Sequence, residues 1–75
     1  MNINEFVANF ADQFDETDAS EIMANTNFRE LDEWSSLTGL SVIAMVKTSY
    51  NKTITGAELR SCNTVEEVFN LVASK

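Results

Sequence analysis

Two adjacent hydroxyls, Ser35 and Ser36, sit in the stretch ELDEWSSLTGLSVIAMV, between an acidic run and a largely apolar segment. A serine works as a nucleophile only when a base takes its proton, and the chain has no histidine. The same lack removes a Cys–His pair at Cys62, the one cysteine, and leaves no way to build a zinc site. Carboxylates are plentiful, but a 75-residue chain offers little enclosed space in which to shift their pKa values. The expectation is a chain that performs no catalysis of its own. A serine at a helix start is by base rate an N-cap. A helix N-terminus also favours phosphate, because free N–H groups and the helix dipole stabilise negative charge. A phosphodiester on a first-turn serine would sit in a compatible field.

Charge narrows the partners. Net charge is −7, and the nine carboxylates from Glu5 to Glu33 face only Arg29 among basic residues. Nucleic acid is not the expected partner, since phosphate binding needs clustered Lys and Arg, and basic protein surfaces are the natural complement. The segment DQFDETDASE offers Asp12, Asp15, Glu16, Asp18 and Glu21 as oxygen donors. An EF-hand loop needs glycine at its sixth position, and reading from Asp12 or Asp15 places none there. A solvated acidic loop is expected instead. One cysteine excludes an intrachain disulfide, the N-terminus has no basic start or long apolar run, and no segment reaches membrane-spanning length. A single cytoplasmic domain over residues 1–75, monomeric, is expected.

The elements that must position the serines follow from periodicity. Ile3, Phe6, Val7, Phe10 and Phe14 recur at three- and four-residue steps, predicting an amphipathic helix from an Asn2 cap to about Phe14 or Asp15. From Asp15 to Ser35 the chain is acidic and aperiodic; SEIMAN can form a short turn, and Phe28, Leu31 and Trp34 pin the segment to the core. A second helix starts at the serines and ends near Tyr50 or Asn51. It carries a core stripe of Gly39, Val42, Ile43, Val46 and Tyr50. A neighbouring face, with Leu37, Leu40 and Ala44 beside Ser41, is left for a partner. Thr55 with Glu58 and Thr64 with Glu67 are capping boxes for a short third helix to about Ser61 and a fourth helix presenting Val65, Val68, Phe69 and Val72. Only KTITG is β-like. The fold class is all-α: a small four-helix bundle with a long loop between helices one and two and a short third helix.

These residues resemble the acyl carrier protein family. Its hallmark is an Asp-Ser-Leu step opening the second helix, matched here by Ser35, Ser36 and Leu37. The resemblance spans the chain. In YNKTITGAELRSCNTVEEVFNLV, Tyr50 ends the second helix, Ile54 precedes the third and Thr64-Val65 begins the fourth, as in the family. The resemblance implies that Ser36 carries phosphopantetheine, donated by coenzyme A through a phosphopantetheinyl transferase. The arm's thiol would hold an acyl group as a thioester for acyl-loading, condensing or transferring enzymes of fatty acid, polyketide or related specialised biosynthesis. By the same carry-over Leu37, Leu40, Ser41, Ala44 and Glu58 meet partners. Val42, Ile43, Val46, Ile54, Leu59, Cys62 and Val65 line an acyl-chain pocket, although any small bundle needs such residues for packing.

Three departures qualify the match. The motif aspartate is Ser35, which can still cap the helix through its hydroxyl. Trp34 stands where many members have a small residue, as a bulky anchor or partner contact. From Leu37 to Tyr50 the second helix has no acidic residue and carries Lys47. Acidity must then come from Glu30, Asp32 and Glu33 before it and Glu58 after it. The expectation is a carrier of a specialised pathway; the alternative is an unmodified carrier-like module that works by binding partners.

Overall fold

The computed structural model describes residues 2–75. It is a small all-α bundle of four helices: α1 (Ile3–Ala11), α2 (Ser36–Tyr50), α3 (Gly56–Arg60) and α4 (Val65–Ala73). Single 3-10 turns at Ala19–Glu21 and Phe28–Glu30 punctuate the long first loop, and no strand forms among the described residues. The β-like KTITG segment forms no strand: residues 52–54 are irregular chain, Thr55 caps α3 and Gly56 opens it.

Caps set the helix boundaries. Asn2 accepts from the N–H groups of Asn4 and Glu5, and Ser35 accepts from Thr38. Thr55 with Glu58 and Thr64 with Glu67 form reciprocal capping boxes. The α2 helix ends at Asn51, which adopts left-handed backbone (φ 56°), a conformation asparagine tolerates at a helix C-terminus.

The first helix is shorter than its periodicity suggests. It stops at Ala11, and the tighter bonds Gln13 N–H to Phe10 O and Phe14 N–H to Ala11 O swing Phe14 inward from outside the helix. The physical reason lies in Glu33, whose carboxylate accepts the N–H groups of Asp15 (2.6 Å), Glu16 (3.0 Å) and Thr17 (2.8 Å) and the Thr17 hydroxyl (2.8 Å). Three backbone donors that would have extended α1 are gathered by one side chain. The acidic loop is therefore tethered rather than merely solvated.

The core is aromatic at its centre. Phe6 and Phe10 of α1 are fully buried, and Phe28 reaches in from the loop to join them. The half-buried Trp34 meets Phe28 edge-on at 4.5 Å between ring centroids and stacks beside Phe10 and Phe14. Tyr50 accepts a hydrogen bond from the Asn9 amide (2.9 Å), tying the end of α2 to α1. Val42 and Val46 from α2 and Val65, Val68 and Val72 from α4 complete the interior. The expected α2 stripe is present, with Gly39, Val42 and Val46 buried and Ile43 and Tyr50 half-buried. Thr38 and Met45 are also buried, which the stripe did not include. Thr38 can enter because its hydroxyl donates to the Glu33 carbonyl (3.0 Å).

Withdrawal of water pushes the Glu33 carboxyl up, but its bonds from Thr17, Glu16 and Asp15 outweigh this and hold it below the ordinary 4.5. The folded state then binds fewer protons than the unfolded one, so this group's stabilisation is present above pH 4.5 and lost as pH falls through the lowered value. Glu33→Gln should lower the denaturation midpoint at neutral pH and leave a shallower acid limb than wild type. Parallel acid limbs in urea titrations across that range would contradict the clasp.

Candidate functional site

Ser36 is the first residue of α2 and is exposed. Ser35 precedes it in extended backbone, with its hydroxyl engaged by Thr38 N–H (3.3 Å). Gly39 N–H bonds back to the Ser35 carbonyl (2.9 Å), so the helix ladder begins there. The N–H groups of Ser36 and Leu37 are left without intrahelical acceptors, as at any helix start. No acidic residue lies in this first turn. At α4 the corresponding donors are closed off: Val65 N–H bonds to Thr26 O (3.3 Å) and Glu66 N–H to Ala24 O (2.8 Å). The two serines therefore divide by role, Ser35 capping and Ser36 presenting a free hydroxyl at an open helix end.

Ser36 borders a cleft of about 320 Å³ between α2 and α3. The α2 side supplies Ser36, Gly39, Leu40 and Ile43, and the α3 side Gly56, Leu59 and Arg60. Trp34, Ser35 and Arg29 complete the lining. Position 39 faces both walls at contact distance: a Cβ there would stand 3.6 Å from Leu59 Cδ2 and 3.7 Å from Trp34 Cζ2, an ordinary van der Waals fit. Trp34 is thus an anchor and a cleft wall at once.

The residues expected to line an acyl pocket separate into two groups. Ile43 and Leu59 border the cleft, whereas Val42, Val46, Ile54, Cys62 and Val65 are buried in the packed core away from it. Burial pushes the Cys62 thiol above its ordinary 9.0, as suits a packed thiol. Of the residues expected to face partners, Leu37 is 75% and Leu40 63% exposed, Ala44 is exposed and Ser41 half-buried. Glu58 is committed elsewhere. Its carboxylate caps Thr55 N–H (2.9 Å) and pairs with Lys75, and these contacts hold it below the ordinary value.

A second depression, about 490 Å³, lies over the acidic loop between Glu16, Glu21, Glu30, Asp32 and Glu33. Among the described residues no group of three or more His, Cys, Asp or Glu is arranged to hold a metal ion. No helix among them is long and apolar enough to cross a membrane. Sequence reasoning missed Arg29 and Arg60 as cleft residues, because nothing local links positions 31 apart; that they are the chain's two arginines was the available signal.

No family model, curated protein or solved structure matches this chain.

The spacing at position 39 gives a direct test of the cleft geometry. A methyl group there would make ordinary van der Waals contact with Leu59 and Trp34, while alanine removes the conformational cost of a mid-helix glycine. Gly39→Ala should raise stability by about 0.5–1 kcal/mol in chemical denaturation. Destabilisation would mean that α2 and α3 lie closer than described.

Proposed function

We propose that this chain is a non-catalytic acyl carrier, bearing phosphopantetheine on Ser36 and holding acyl intermediates as thioesters on that arm for separate loading, condensing or transferring enzymes. The observation that carries the reading is the exposed Ser36 hydroxyl on the first turn of α2, beside N–H groups that no intrahelical acceptor takes. A phosphodiester fits there: the helix end is open, its first turn has no carboxylate to repel the anion, and Ser35 keeps the cap whether or not Ser36 is esterified. The similarity of the Ser36-Leu37 step and of the helix order to the carrier family supports the same reading. In the transfer, Ser36 Oγ forms a new bond to the β-phosphorus of coenzyme A, the hydroxyl proton leaves to a base on the transferase, and adenosine bisphosphate departs. This chain's own contribution is to present the hydroxyl on a rigid helix start.

The exposed Leu37 and Leu40 next to Ser36 give a partner enzyme an apolar foothold beside the arm. They equally favour a second reading, an unmodified interaction module, which the serine at position 35 in place of the family's aspartate also favours.

Incubation with coenzyme A, Mg²⁺ and a broad-specificity transferase, followed by intact mass, separates the two. Wild type should gain one phosphopantetheine and Ser36→Ala none; an unmodified wild type would leave the interaction module. Ser35→Asp keeps the cap and adds the family's carboxylate, and should accelerate modification. Equal rates would show that the charge is dispensable.

A further inference from the structure

Both arginines of the chain line the cleft beside Ser36. The protein has 12 carboxylates and a net charge of −7, yet neither guanidinium is paired with one. Among the described residues the one ion pair joins Lys75 to Glu58. Arg29 donates from Nη1 to the Arg60 carbonyl (2.7 Å), which fixes its guanidinium at the C-terminal end of α3. Arg60 folds back along α3, and its Nη1 lies 3.3 Å from where a Cβ on Gly56 would stand. Glycine at that position lets the guanidinium lie against the first turn of α3. Glu58, on the same helix as Arg60, is taken by Thr55 N–H and Lys75, and Glu30, Asp32 and Glu33 border the other depression.

Apart from Ser35 and Ser36, the rest of the lining is apolar, with the side chains of Trp34, Leu40, Ile43 and Leu59. Guanidiniums unpaired with any carboxylate, at the edge of an apolar slot, are complementary to a ligand with an apolar body and an anionic end. A volume of about 320 Å³ lies at the small end for ligand sites and suits a short body.

We propose that the α2–α3 cleft receives a short acyl group ending in a carboxylate, its body against Trp34, Leu40, Ile43 and Leu59 and its charge against the Arg60 guanidinium, with Arg29 adding positive field from the far end of α3. Delivery of that group on an arm at Ser36 rests on the carrier reading; the preference of the cleft for an anionic end does not. Tethering would keep the group at high local concentration, so a modest intrinsic affinity is enough.

The test supplies the tether chemically. Ser36→Cys places a thiol at the exposed site, while Cys62 is buried and its thiol pushed up by burial, so a haloacetamide takes the introduced thiol. Intact mass verifies a single adduct. The probe is the iodoacetyl derivative of aminocaproic acid, isotope-labelled at the carboxyl carbon, and its carboxyl pKa is read by NMR titration.

Contact with Arg60 should depress that pKa below the free probe's by about 0.5–1 unit. In Arg60→Gln, which loses a cation from an exposed position and leaves the core untouched, the depression should shrink or vanish. A carboxyl dangling from this acidic protein would instead be raised by the surrounding negative charge. A pKa at or above the free probe's in the protein retaining Arg60, or a depression unchanged in Arg60→Gln, would overturn the proposal. The transferase assay on native Ser36 uses none of these reagents, so the two readings fail separately. A depressed probe pKa with no phosphopantetheine transfer leaves a carboxylate site on a chain that is not a carrier. Transfer with an undepressed pKa leaves a carrier whose cleft does not select for charge.

Discussion

The contact of Trp34 with Phe28, 4.5 Å between ring centroids, governs more of this molecule than any other. The helices are short, with nine, fifteen, five and nine residues, and helices of that length are marginal without tertiary packing. Between α1 and α2 the chain makes only two 3-10 turns. Such a loop holds its place by burying side chains: Phe14, Phe28 and Trp34 pack on Phe10 of α1, and Ile22 joins the same core. Trp34 stands one residue before the Ser35 cap, so its packing fixes where α2 starts and which way Ser36 faces. The same ring walls the cleft. Each aromatic pair adds on the order of 0.5–1.5 kcal/mol beyond its burial, a large share of a small domain's stability.

Glu33 complements that contact from the polar side. Its carboxylate gathers the N–H groups of residues 15–17, and its carbonyl accepts the Thr38 hydroxyl of α2. One residue thus joins the end of α1, the loop and the first turn of α2. Glu67 works similarly at α4, taking the N–H groups of Asn63 and Thr64, while loop carbonyls close the next two donors. The contrast with α2 is informative. The helix end nearest the core is sealed by its own chain, and the one at the surface is left open beside an apolar cleft.

Much of this was legible one element at a time. The capping boxes of α3 and α4 are local spacing rules, and Thr55, Glu58, Thr64 and Glu67 obey them. Three- and four-residue steps marked the buried faces of α1 and α4 and most of that of α2. The end of α1 was misjudged because Phe14 keeps the helical step in sequence while reaching the core through a tighter turn. Thr38 escaped notice because a hydroxyl looks unsuited to a core until its acceptor, the Glu33 carbonyl, is in view. The expected acyl pocket divided for a related reason. Periodicity reports that Val42, Val46 and Val65 face inward, but not whether the inward side is packed solid or opens onto a cleft, as it does at Ile43 and Leu59.

The sequence by itself determined the helix starts, the helical class, the acidic balance and the pair of serines at a helix boundary, because caps and periodicity act within a few residues. Only the tertiary structure decided what surrounds those serines. The approach of α3 to α2 at Gly39, the placing of Trp34 and the bond from the Arg29 guanidinium to the Arg60 carbonyl all join positions distant along the chain. Such contacts depend on how the helices pack, and local spacing carries no record of them. The serine pair at a helix start was therefore readable, while the cleft beside it, with its apolar walls and unpaired cations, is a property of the fold.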